Sequence, residues 1–483
     1  MSSASEPTHP TPEAPPAPPR ADAQSVGSAL LSALRGAPLD YTKGPLGRAI
    51  FLLAVPMALE MFMESLFSVV DTWFVGKLGS DAVAVVGLTA SIVMLIFCVA
   101  MGLAMSATAM VARRVGEGDL DGARVVATQC VLAGFLVAVP LGLLGAIYAE
   151  DLLLLMGAAP ETAAQGRGFT AVLLAGNVTI FQLFLINAVF RGAGDPMLAM
   201  KSLWLGNAVN IVLDPILIFG WAFFPELGLT GAAWATTIGR GTGVAYQFWA
   251  LHSGAGRVRI GRADLRFEPA VLRRIFTTSG WGILQLFVGM ASWIVVMRML
   301  ADWGDDVLAG YTIAIRVIVF VLLPAWGIGN AAATLVGQNL GAGEVERARR
   351  SAWATAHTNA VCLTLVAALF FFGAEPVVRL FTQVDTAVEA GAQCLAVFAL
   401  TYPLLGYGMT IVMAFNGAGD TRTPTWLNLF AYWVVQLPLG WLLALQFGMG
   451  PQGIFVSGAV AQAVLALTSI LSFRTGRWAR TAV

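Results

Sequence analysis

The sequence predicts an all-α integral membrane protein with twelve transmembrane helices in two six-helix repeats, and three features carry this prediction. Of 483 residues, 58% are hydrophobic and only 12% are charged, about half the charged fraction of a typical soluble domain. A soluble protein of this length would need far more charge to cover its surface. Uncharged stretches long enough to cross a bilayer recur along the chain. The second half of the chain also repeats motifs of the first half at a constant spacing.

Each predicted span has roughly the 20 apolar residues that a helix needs to cross the hydrocarbon layer. Seven are uncharged stretches, and two more divide one long uncharged run at Gly448-Met449-Gly450-Pro451, where glycine and proline favour a turn. Three further spans follow if isolated charges inside a span are allowed. In chain order the spans lie at 49–76, 82–112, 125–149, 168–190, 200–222, 228–251, 275–297, 317–343, 351–374, 390–419 and, as a pair, within 423–473. The alternating pattern of a membrane β-barrel is absent from the sequence.

The distribution of basic residues predicts the orientation, because cytoplasmic loops are enriched in Lys and Arg. If both termini lie in the cytoplasm, 22 of the 28 Lys and Arg residues fall in the tails and the cytoplasmic loops. The opposite loops hold Lys77, Arg167 and Arg379 beside several acidic residues. We therefore expect a multi-pass protein of the cell inner (plasma) membrane with both termini cytoplasmic.

Motifs of the first half recur 225 residues later. Residues 111–118 (VARRVGEG) align with residues 336–343 (VGQNLGAG), and residues 190–195 (FRGAGD) align with residues 415–420 (FNGAGD). An even number of spans in each repeat keeps the two repeats in the same orientation. Parallel repeats of this kind are typical of transporters that handle a substrate between their halves.

These features divide the chain into five parts. Residues 1–45 are rich in proline and alanine, lack the apolar core of a signal peptide, and are predicted to be a disordered cytoplasmic tail. Residues 46–252 are the N-lobe with spans 1–6, and residues 253–272 are a basic cytoplasmic linker. Residues 273–475 are the C-lobe with spans 7–12, and residues 476–483 are a second cytoplasmic tail.

Several classes of function are disfavoured by the sequence. A net charge of zero gives no basic face for a nucleic acid, and no GxxxxGK[ST] loop for ATP occurs. The cysteines are isolated inside the spans, so neither a metal site nor a redox site is expected; they are Cys98, Cys130, Cys362 and Cys394. We expect a monomer that is not an enzyme and that has no cofactor.

Acidic residues inside the spans indicate how the protein is driven. Glu60, Glu64 and Asp71 lie in span 1 and Asp214 lies in span 5. A charge at a helix centre costs roughly 2.5–3.5 kcal/mol even on an insertion scale. At 100° per residue, the three acids of span 1 share one face of their helix and rise about 16 Å along it. We expect these acids to take up a coupling ion from outside and to release it inside.

Span 5 carries a second polar face. Asn207, Asn210 and Asp214 lie within about 60° of one another, and Pro215 removes a backbone donor beside the carboxyl group. Further hydrogen-bonding groups expected at this site are Asn187 of span 4 and Thr236 or Thr237 of span 6. Protonation of an acid in this cluster would remove a charge and rearrange its hydrogen bonds, which can bend the helix at the proline.

Structural roles remain open for the same acids. Asp71 can be a helix-end residue near the outer surface, and Asp214 can cap a break at the following proline. Glu60 and Glu64 can pair with arginines of the C-lobe as a structural contact, the candidates being Arg298 and Arg316.

The chain resembles a known family over roughly residues 46–475. Residues 70–79 (VDTWFVGKLG) look like the first-helix signature of that family, and residues 336–343 and the paired Gly-Ala-Gly-Asp turns are typical of it. The family is MATE, multidrug and toxic compound extrusion. The resemblance implies two six-helix lobes around a central cleft, alternating access, and export of organic cations coupled to inward H⁺ or Na⁺.

The resemblance also implies which residues hold the ion. In the proton-coupled bacterial members, a first-helix Asp and an Asn-x-x-x-Asp-Pro segment of the fifth helix form the cation-sensitive cluster. The residues of this chain that match this motif are Asp71, Asn210 and Asp214. Other members carry acids in the seventh and tenth helices, whereas spans 7 and 10 of this chain have none. We therefore predict coupling to H⁺ in the N-lobe. Na⁺ is the alternative, because Glu60 and Glu64 with amide oxygens also suit a hard cation.

Methionine and aromatic side chains of spans 1 and 7 are the predicted wall of the substrate cleft: Met61, Phe67, Met290 and Trp293. Such side chains suit varied lipophilic cations, and packing between helices or toward lipid is the alternative for each. Arg240 and Arg316 can instead recognise an anion or pair across helices. We predict an antiporter that exports cationic or amphipathic small molecules. The alternatives are a flippase of lipid-linked precursors, against which the small number of basic residues in spans argues, and a non-transporting membrane scaffold.

Overall fold

The structure, a computed structural model, describes residues 40–221, 224–261 and 264–481, without the side chain of Ser80. Twelve long helical segments occupy the positions of the twelve predicted spans. They are α1 (Leu46–Gly76), α2 (Ser80–Gly116), α3 (Leu120–Ile147), α4 (Pro160–Ala175 and Asn177–Ala193), α5 (Pro196–Phe219), α6 (Gly228–Ser253), α7 (Pro269–Ala301), α8 (Asp305–Gly341), α9 (Val345–Arg379), α10 (Asp385–Ala399 and Tyr402–Gly417), α11 (Arg422–Gln446) and α12 (Pro451–Arg474). A short helix, Ala149–Leu155, connects α3 to α4.

Length and apolar character support a membrane location for nearly all of these segments. Within the described residues, ten are long and apolar enough to cross a bilayer, and the two halves of α10, which meet at a bend of 63°, make an eleventh. α6 has 26 residues but does not pass the same test, because Arg240, Gln247 and several threonines interrupt its apolar sequence. The predicted all-α membrane fold is confirmed.

The 225-residue repeat of the sequence is also a repeat of the fold. α8 begins and ends 225 residues after α2 begins and ends. Three turns keep the same spacing through glycines whose φ angles are positive and nearly equal: Gly79 and Gly304 (103° and 97°), Gly118 and Gly343 (75° and 77°), and Gly194 and Gly419 (86° and 85°). Glycine is the residue that adopts these angles at low cost. α1–α6 and α7–α12 therefore form two lobes of the same plan.

The lobes pack against each other at two equivalent crossings, α1 against α8 and α2 against α7, and along a contact of α2 with α8. At the first crossing, a Cβ atom on Gly327 would clash with the backbone of Met57 and Ala58. At the second, a Cβ atom on Gly102 would clash with Ile283. Small residues let the helix backbones approach this closely.

We call the end of the molecule at which α1 begins, and α2 and α8 end, the basic end. There, a Cβ atom on Gly116 would clash with the backbone of Gln338, and a Cβ atom on Gly341 would clash with the backbone of Arg113. Across the described residues, the hydrogen bonds and ring contacts between the lobes lie from the middle of the spans to this end. Toward the opposite end, the described residues form no such contact between the lobes, which indicates that the cleft between them opens there.

The end of the predicted N-terminal tail is packed against both lobes. Residues 1–39 lie outside the described residues, but Tyr41 is only 4% exposed, and its hydroxyl donates to the carbonyl O of Gly194 at 3.3 Å. Burial raises the pKa of Tyr41 to about 12, so this hydroxyl stays a donor at physiological pH. Arg347 of α9 donates to the carbonyl oxygens of Tyr41 and Lys43 at 3.3 and 3.0 Å. The segment before α1 therefore joins the lobes at the basic end, which the sequence did not predict.

The predicted linker and the C-terminal tail are packed as well. Gln129 of α3 donates to the carbonyl O of Arg266 at 2.7 Å and accepts from the N–H of Glu268 at 3.2 Å. α7 begins at Pro269, four residues before the predicted start of the C-lobe. After α12, the Trp478 ring stacks on Phe473 with 4.5 Å between centroids.

Candidate coupling site and central cavity

The three acidic residues of α1 face the interior of the N-lobe, where α4, α5 and α6 supply their partners. Glu60 is 2% exposed, and Glu64 and Asp71 are partly exposed. This arrangement agrees with the helical periodicity, which places the three acids on one face of α1. Their partners, described next, come from three other helices.

Glu60 is the deepest of the three and forms an ion pair. Its Oε1 atom accepts from Nη1 of Arg191 at 2.8 Å and from Nδ2 of Asn187 at 3.0 Å, both on α4. The other carboxylate oxygen is buried and has no hydrogen-bond partner. Pairing of Glu60 with arginines of the C-lobe is therefore wrong, and Arg298 instead pairs with Asp302 at 2.7 Å.

Asn187 extends this contact into a network that sequence reasoning missed. Its Oδ1 atom accepts from the hydroxyl of Ser202 at 2.9 Å and from Nε2 of Gln247 at 2.7 Å. Gln247 also donates to the carbonyl O of Leu183 at 3.0 Å. Both new residues are fully buried and lie on α5 and α6. The sequence feature that could have identified Ser202 and Gln247 is a polar residue in an otherwise apolar span.

Arg240 of α6 lies among the remaining acids of α1. Its guanidinium interacts electrostatically with Glu64 and Asp71, and it stands 5.8 Å from the ring centroid of Phe67 and 5.6 Å from that of Phe97. Glu64 also accepts from Nδ2 of Asn207 on α5 at 3.4 Å. Arg240 therefore makes contacts between helices, which was one of the two roles considered for it.

Asp214 of α5 has amide and hydroxyl neighbours in place of an arginine. It is fully buried, and its Oδ1 atom accepts from Nδ2 of Asn210 at 3.4 Å. The same amide nitrogen lies 3.3 Å from the hydroxyl of Thr236. Oδ2 of Asp214 and Oδ1 of Asn210 are both buried without a hydrogen-bond partner. Asp71 lies close enough for its charge to act on Asp214, so the predicted members Asp71, Asn210, Asp214 and Thr236 form one cluster.

Pro215 and Thr237 contribute differently from what the sequence suggested. Pro215 lies inside α5, which continues past it to Phe219 without a break. Because proline has no N–H, one carbonyl in the preceding turn is left without its helical donor. Thr237 lies against Gly176, at the break in α4, whereas Thr236 points to Asn210.

Counting charges inside the N-lobe shows an excess of acid. Four carboxyl groups lie there with two guanidinium groups, Arg191 and Arg240. Arg191 pairs with Glu60, and Arg240 is shared by Glu64 and Asp71. Among the described residues, no cationic side chain is paired with Asp214. The four acids therefore outnumber the two arginines, and Asp214 is the acid that no arginine contacts among the described residues.

A cavity lies between the lobes on the inner side of this site. Methionine and aromatic side chains dominate its wall, with a few amide and hydroxyl groups and the guanidinium of Arg191. The lining residues are Met61, Met101, Ala104, Met105, Thr108, Phe184, Arg191, Trp326, Asn330, Ala333, Met413, Asn416 and Gly417. Both lobes contribute, which matches a substrate site between repeats.

Of the four side chains predicted to line the substrate cleft, Met61 lines this cavity. Phe67 is 7% exposed and lies inside the N-lobe against Arg240. Met290 lies at the crossing of α2 and α7, where its sulfur is 3.9 Å from that of Cys98. Trp293 is 43% exposed and is not among the residues that line the cavity. Residues of α2, α8 and α10 take the expected place of α7.

Comparisons with known proteins agree with this architecture. A family model described as MatE matches residues 56–216 and 282–442, one segment in each lobe. The probable multidrug resistance protein NorM of Thermotoga maritima is 27% identical over 443 residues, which cover 90% of this chain and 94% of that protein. A FAD transporter of Shewanella oneidensis is 25% identical over 398 residues, covering 82% of this chain and 87% of that protein.

A solved structure with the same fold is the outward-facing conformation of a multidrug resistance MATE family transporter of the MOP superfamily. It is 25% identical in sequence and superposes with a TM-score of 0.84, covering 90% of this chain and 96% of that one.

Proposed function

The chain belongs to the MATE family of transporters, and from this we propose that it exports cationic or amphipathic small molecules in exchange for inward H⁺, with Asp71 and Asp214 as the proton site. The family and the two-lobe cleft support transport. The choice of ion rests on the chemistry of the N-lobe acids, and the choice of substrate rests on the wall of the central cavity.

The observation that carries the proton site is the surroundings of Asp214. A buried charge is costly unless it is paired and hydrogen-bonded, yet this carboxylate has one weak donor, Asn210, and a nearby like charge, Asp71. A proton on Asp214 removes the charge and turns the unpartnered Oδ2 into a donor. Asn210 Oδ1, which also lacks a partner, is a neighbouring acceptor. Protonation and release at this cluster therefore change both charge and hydrogen bonding beside Pro215.

Sodium coupling is the main alternative. It is supported by the same two buried oxygen atoms without partners, Oδ2 of Asp214 and Oδ1 of Asn210. Na⁺ and other hard cations bind carboxylate and amide oxygens, which Asp214 and Asn210 present. We favour H⁺ because a single proton removes the charge of Asp214, whereas Na⁺ would need several oxygen atoms arranged around it. Glu60, Glu64 and Asn187 are occupied by Arg191, Asn207 and Gln247.

The cavity wall supports lipophilic cations and amphipathic molecules as substrates. Thioether and aromatic groups adapt to varied shapes, and aromatic faces attract cations. Arg191 is the one cationic side chain among the lining residues, but Glu60 compensates its charge at 2.8 Å. An anionic dinucleotide is the second candidate, because Arg191 lies in the wall and one relative is described as a FAD transporter.

Charge asymmetry supports the orientation. We place the basic end in the cytoplasm of the cell, with the protein in the inner membrane and both termini inside. The cleft that diverges toward the opposite end then faces outward. This is the state in which a proton enters from outside and the substrate leaves.

Reconstituted protein tests the ion directly. In proteoliposomes loaded with a fluorescent lipophilic cation, we expect an imposed pH gradient to drive transport and a sodium gradient at equal pH on both sides to drive none. Asp214→Asn and Asp71→Asn should each abolish pH-driven transport while the protein still inserts and folds. The matched control is Asp302→Asn, which removes an exposed carboxylate paired with Arg298 and should leave transport unchanged.

The outcomes separate the alternatives. Transport driven by the sodium gradient alone would replace H⁺ with Na⁺ while keeping the site. Full pH-driven transport by Asp214→Asn would remove the site. A substrate panel that includes FAD distinguishes a cation exporter from an anion exporter, and absence of flux for every compound would leave the scaffold interpretation.

A further inference from the structure

A second pocket lies on the C-lobe, on the side turned away from the central cavity. Its lining residues come from α9, α10 and α12 and are Arg349, Trp353, His357, Leu404, Tyr407, Ile470 and Arg474. Leu404 is nine residues from Met413, which lines the central cavity, so the two side chains project in opposite directions from α10. We call this the α9–α12 pocket. It faces the surroundings of the protein, and the transport mechanism makes no use of it.

The pocket combines two arginines with a group of packed rings. The guanidinium of Arg474 stands 5.8 Å from the ring centroid of Trp353. The ring of Tyr407 lies 6.4 Å from that of Trp353 and 5.2 Å from that of His357. Arg349 donates one hydrogen bond to Glu346 at 2.9 Å. Its guanidinium group has further N–H donors.

His357 adds a polar nitrogen to this wall. Its Nδ1 atom lies 2.6 Å from the carbonyl O of Trp353. A carbonyl oxygen accepts hydrogen bonds and cannot donate, so Nδ1 carries the proton of this contact. Nε2 remains for a ligand, and the side chain is exposed.

The predicted span 351–374 puts the pocket at the boundary between headgroups and hydrocarbon. At 1.5 Å per residue, Arg349 lies about 6 Å and His357 about 18 Å from the start of α9 at the basic end. The charged groups therefore stand at the rim, and the rings lie deeper. Tryptophan and tyrosine favour this level of the bilayer, and arginine there attracts anionic headgroups.

The repeat shows that the fold alone does not require such a pocket. Arg349, Trp353 and Tyr407 correspond, at the 225-residue offset, to Arg124, Thr128 and Gln182 of the N-lobe. Thr128 and Gln182 are each 1% exposed, and Gln182 donates to the carbonyl O of Val131. At the equivalent place in the N-lobe, Thr128 and Gln182 are buried by packing and do not line a pocket of this kind. The rings of Trp353 and Tyr407 are therefore a property of the C-lobe sequence, whereas the arginine at position 349 is shared with the N-lobe.

We propose that the α9–α12 pocket binds one anionic phospholipid from the leaflet at the basic end, with its phosphate between Arg349 and Arg474 and its glycerol and upper acyl carbons against Trp353 and Tyr407. The ligand chemistry is a phosphodiester anion with an apolar chain. A free phosphate would satisfy the arginines and leave the apolar and aromatic floor unused, so the lipid uses more of the pocket. The proposal requires only that the protein lies in a membrane, and it stands apart from the proposed transport.

Lipid binding to the purified full chain tests the proposal. Native mass spectrometry in detergent measures the affinity for phosphatidylglycerol and for phosphatidylcholine, in the wild type and in the double variant Arg349→Gln/Arg474→Gln. An arginine near the surface contributes about a fivefold preference for an anionic lipid. We therefore expect the double variant to bind the first phosphatidylglycerol at least tenfold more weakly and to bind phosphatidylcholine as before.

A matched double variant removes the same charge outside the pocket. Arg350→Gln/Arg480→Gln replaces two exposed arginines of the same end and should bind phosphatidylglycerol as the wild type does. Equal loss in this control would mean diffuse charge attraction and would overturn the proposal. Equal affinity of the wild type for phosphatidylcholine, unchanged binding by the pocket variant, or displacement of the lipid by glycerol phosphate at comparable concentration would each overturn it too.

Discussion

Buried charge decides the behaviour of single residues in the N-lobe. The pair of Glu60 and Arg191 is the most buried ion pair among the described residues, and both side chains are more than nine-tenths buried. Removing one partner of a buried pair leaves the other uncompensated, which costs about 3–5 kcal/mol. Replacing both partners with apolar groups of similar size costs much less. The pair therefore couples α1 to α4 through a strongly non-additive contact.

This coupling predicts the outcome of a double-mutant cycle. Glu60→Gln and Arg191→Met should each lower the thermal unfolding temperature of the protein in detergent, and the double variant should regain most of the loss. Glu64→Gln is the control, because Glu64 has only a 3.4 Å contact with Asn207 and a shared arginine. Additive losses in the double variant would show that the two side chains act independently.

At the scale of helices, the two lobes approach each other most closely at glycines, which have no side chain. Gly116 of α2 and Gly341 of α8 are equivalent in the repeat, and each meets the backbone of the other lobe at the basic end. Backbone atoms have little room to move, so an added methyl group must push the helices apart. The contact holds the basic end closed, and its loss favours an arrangement that opens there.

The element-scale prediction is that Gly116→Ala widens the basic end. Spin labels on cysteines placed at Glu117 and Ala342 should show a longer distance, or a larger long-distance population, than in the unsubstituted background. Gly87→Ala, in the same helix but with open space around it, should leave the distances unchanged. An unchanged distribution in Gly116→Ala would mean that the lobes are not held by this contact.

For the whole molecule, charge asymmetry and the repeat support the proposed orientation of the chain in a membrane. An even number of spans in each lobe returns the chain to the basic end, where Arg347 contacts Tyr41 and Arg113 contacts Thr481 of the C-terminal segment. The basic residues collect at this end, while Asp302, Asp305 and Asp306 lie at the other. The same asymmetry sets the direction of proposed transport, because the cleft opens toward the acidic end.

Cysteine labelling in whole cells checks this orientation. In a background with Cys362→Ser, a cysteine at Asp302 should react with a membrane-impermeant maleimide in intact cells. A cysteine at Glu344, in the turn between α8 and α9, should react only after the membrane is opened. The reverse pattern would place the basic end outside and would invert the proposed direction.

The sequence by itself determined the twelve spans, the repeat and the acidic face of α1. Span length, charge placement and helical periodicity are local properties, and each can be read along a single segment. The resemblance groups Asp71, Asn210 and Asp214, and the polar residues of span 6 add Thr236. The structure brings all four into one cluster. The positions of the turns could also be predicted from the sequence, because glycines such as Gly118 and Gly343 recur at one offset. In the structure these glycines share a positive φ.

Only the tertiary structure decided which helix faces which. Periodicity places Glu60 on a face of α1 but does not say that α4 brings Arg191 to it, and C-lobe arginines were considered instead. For the same reason the cavity wall came from α2, α8 and α10 where α7 was expected, and Tyr41 proved to be packed rather than part of a loose tail. These contacts depend on how helices far apart in the sequence pack, and that arrangement is fixed by close approaches such as Gly327 against Met57. No single stretch of sequence contains that information, because each contact requires the shape of both partners.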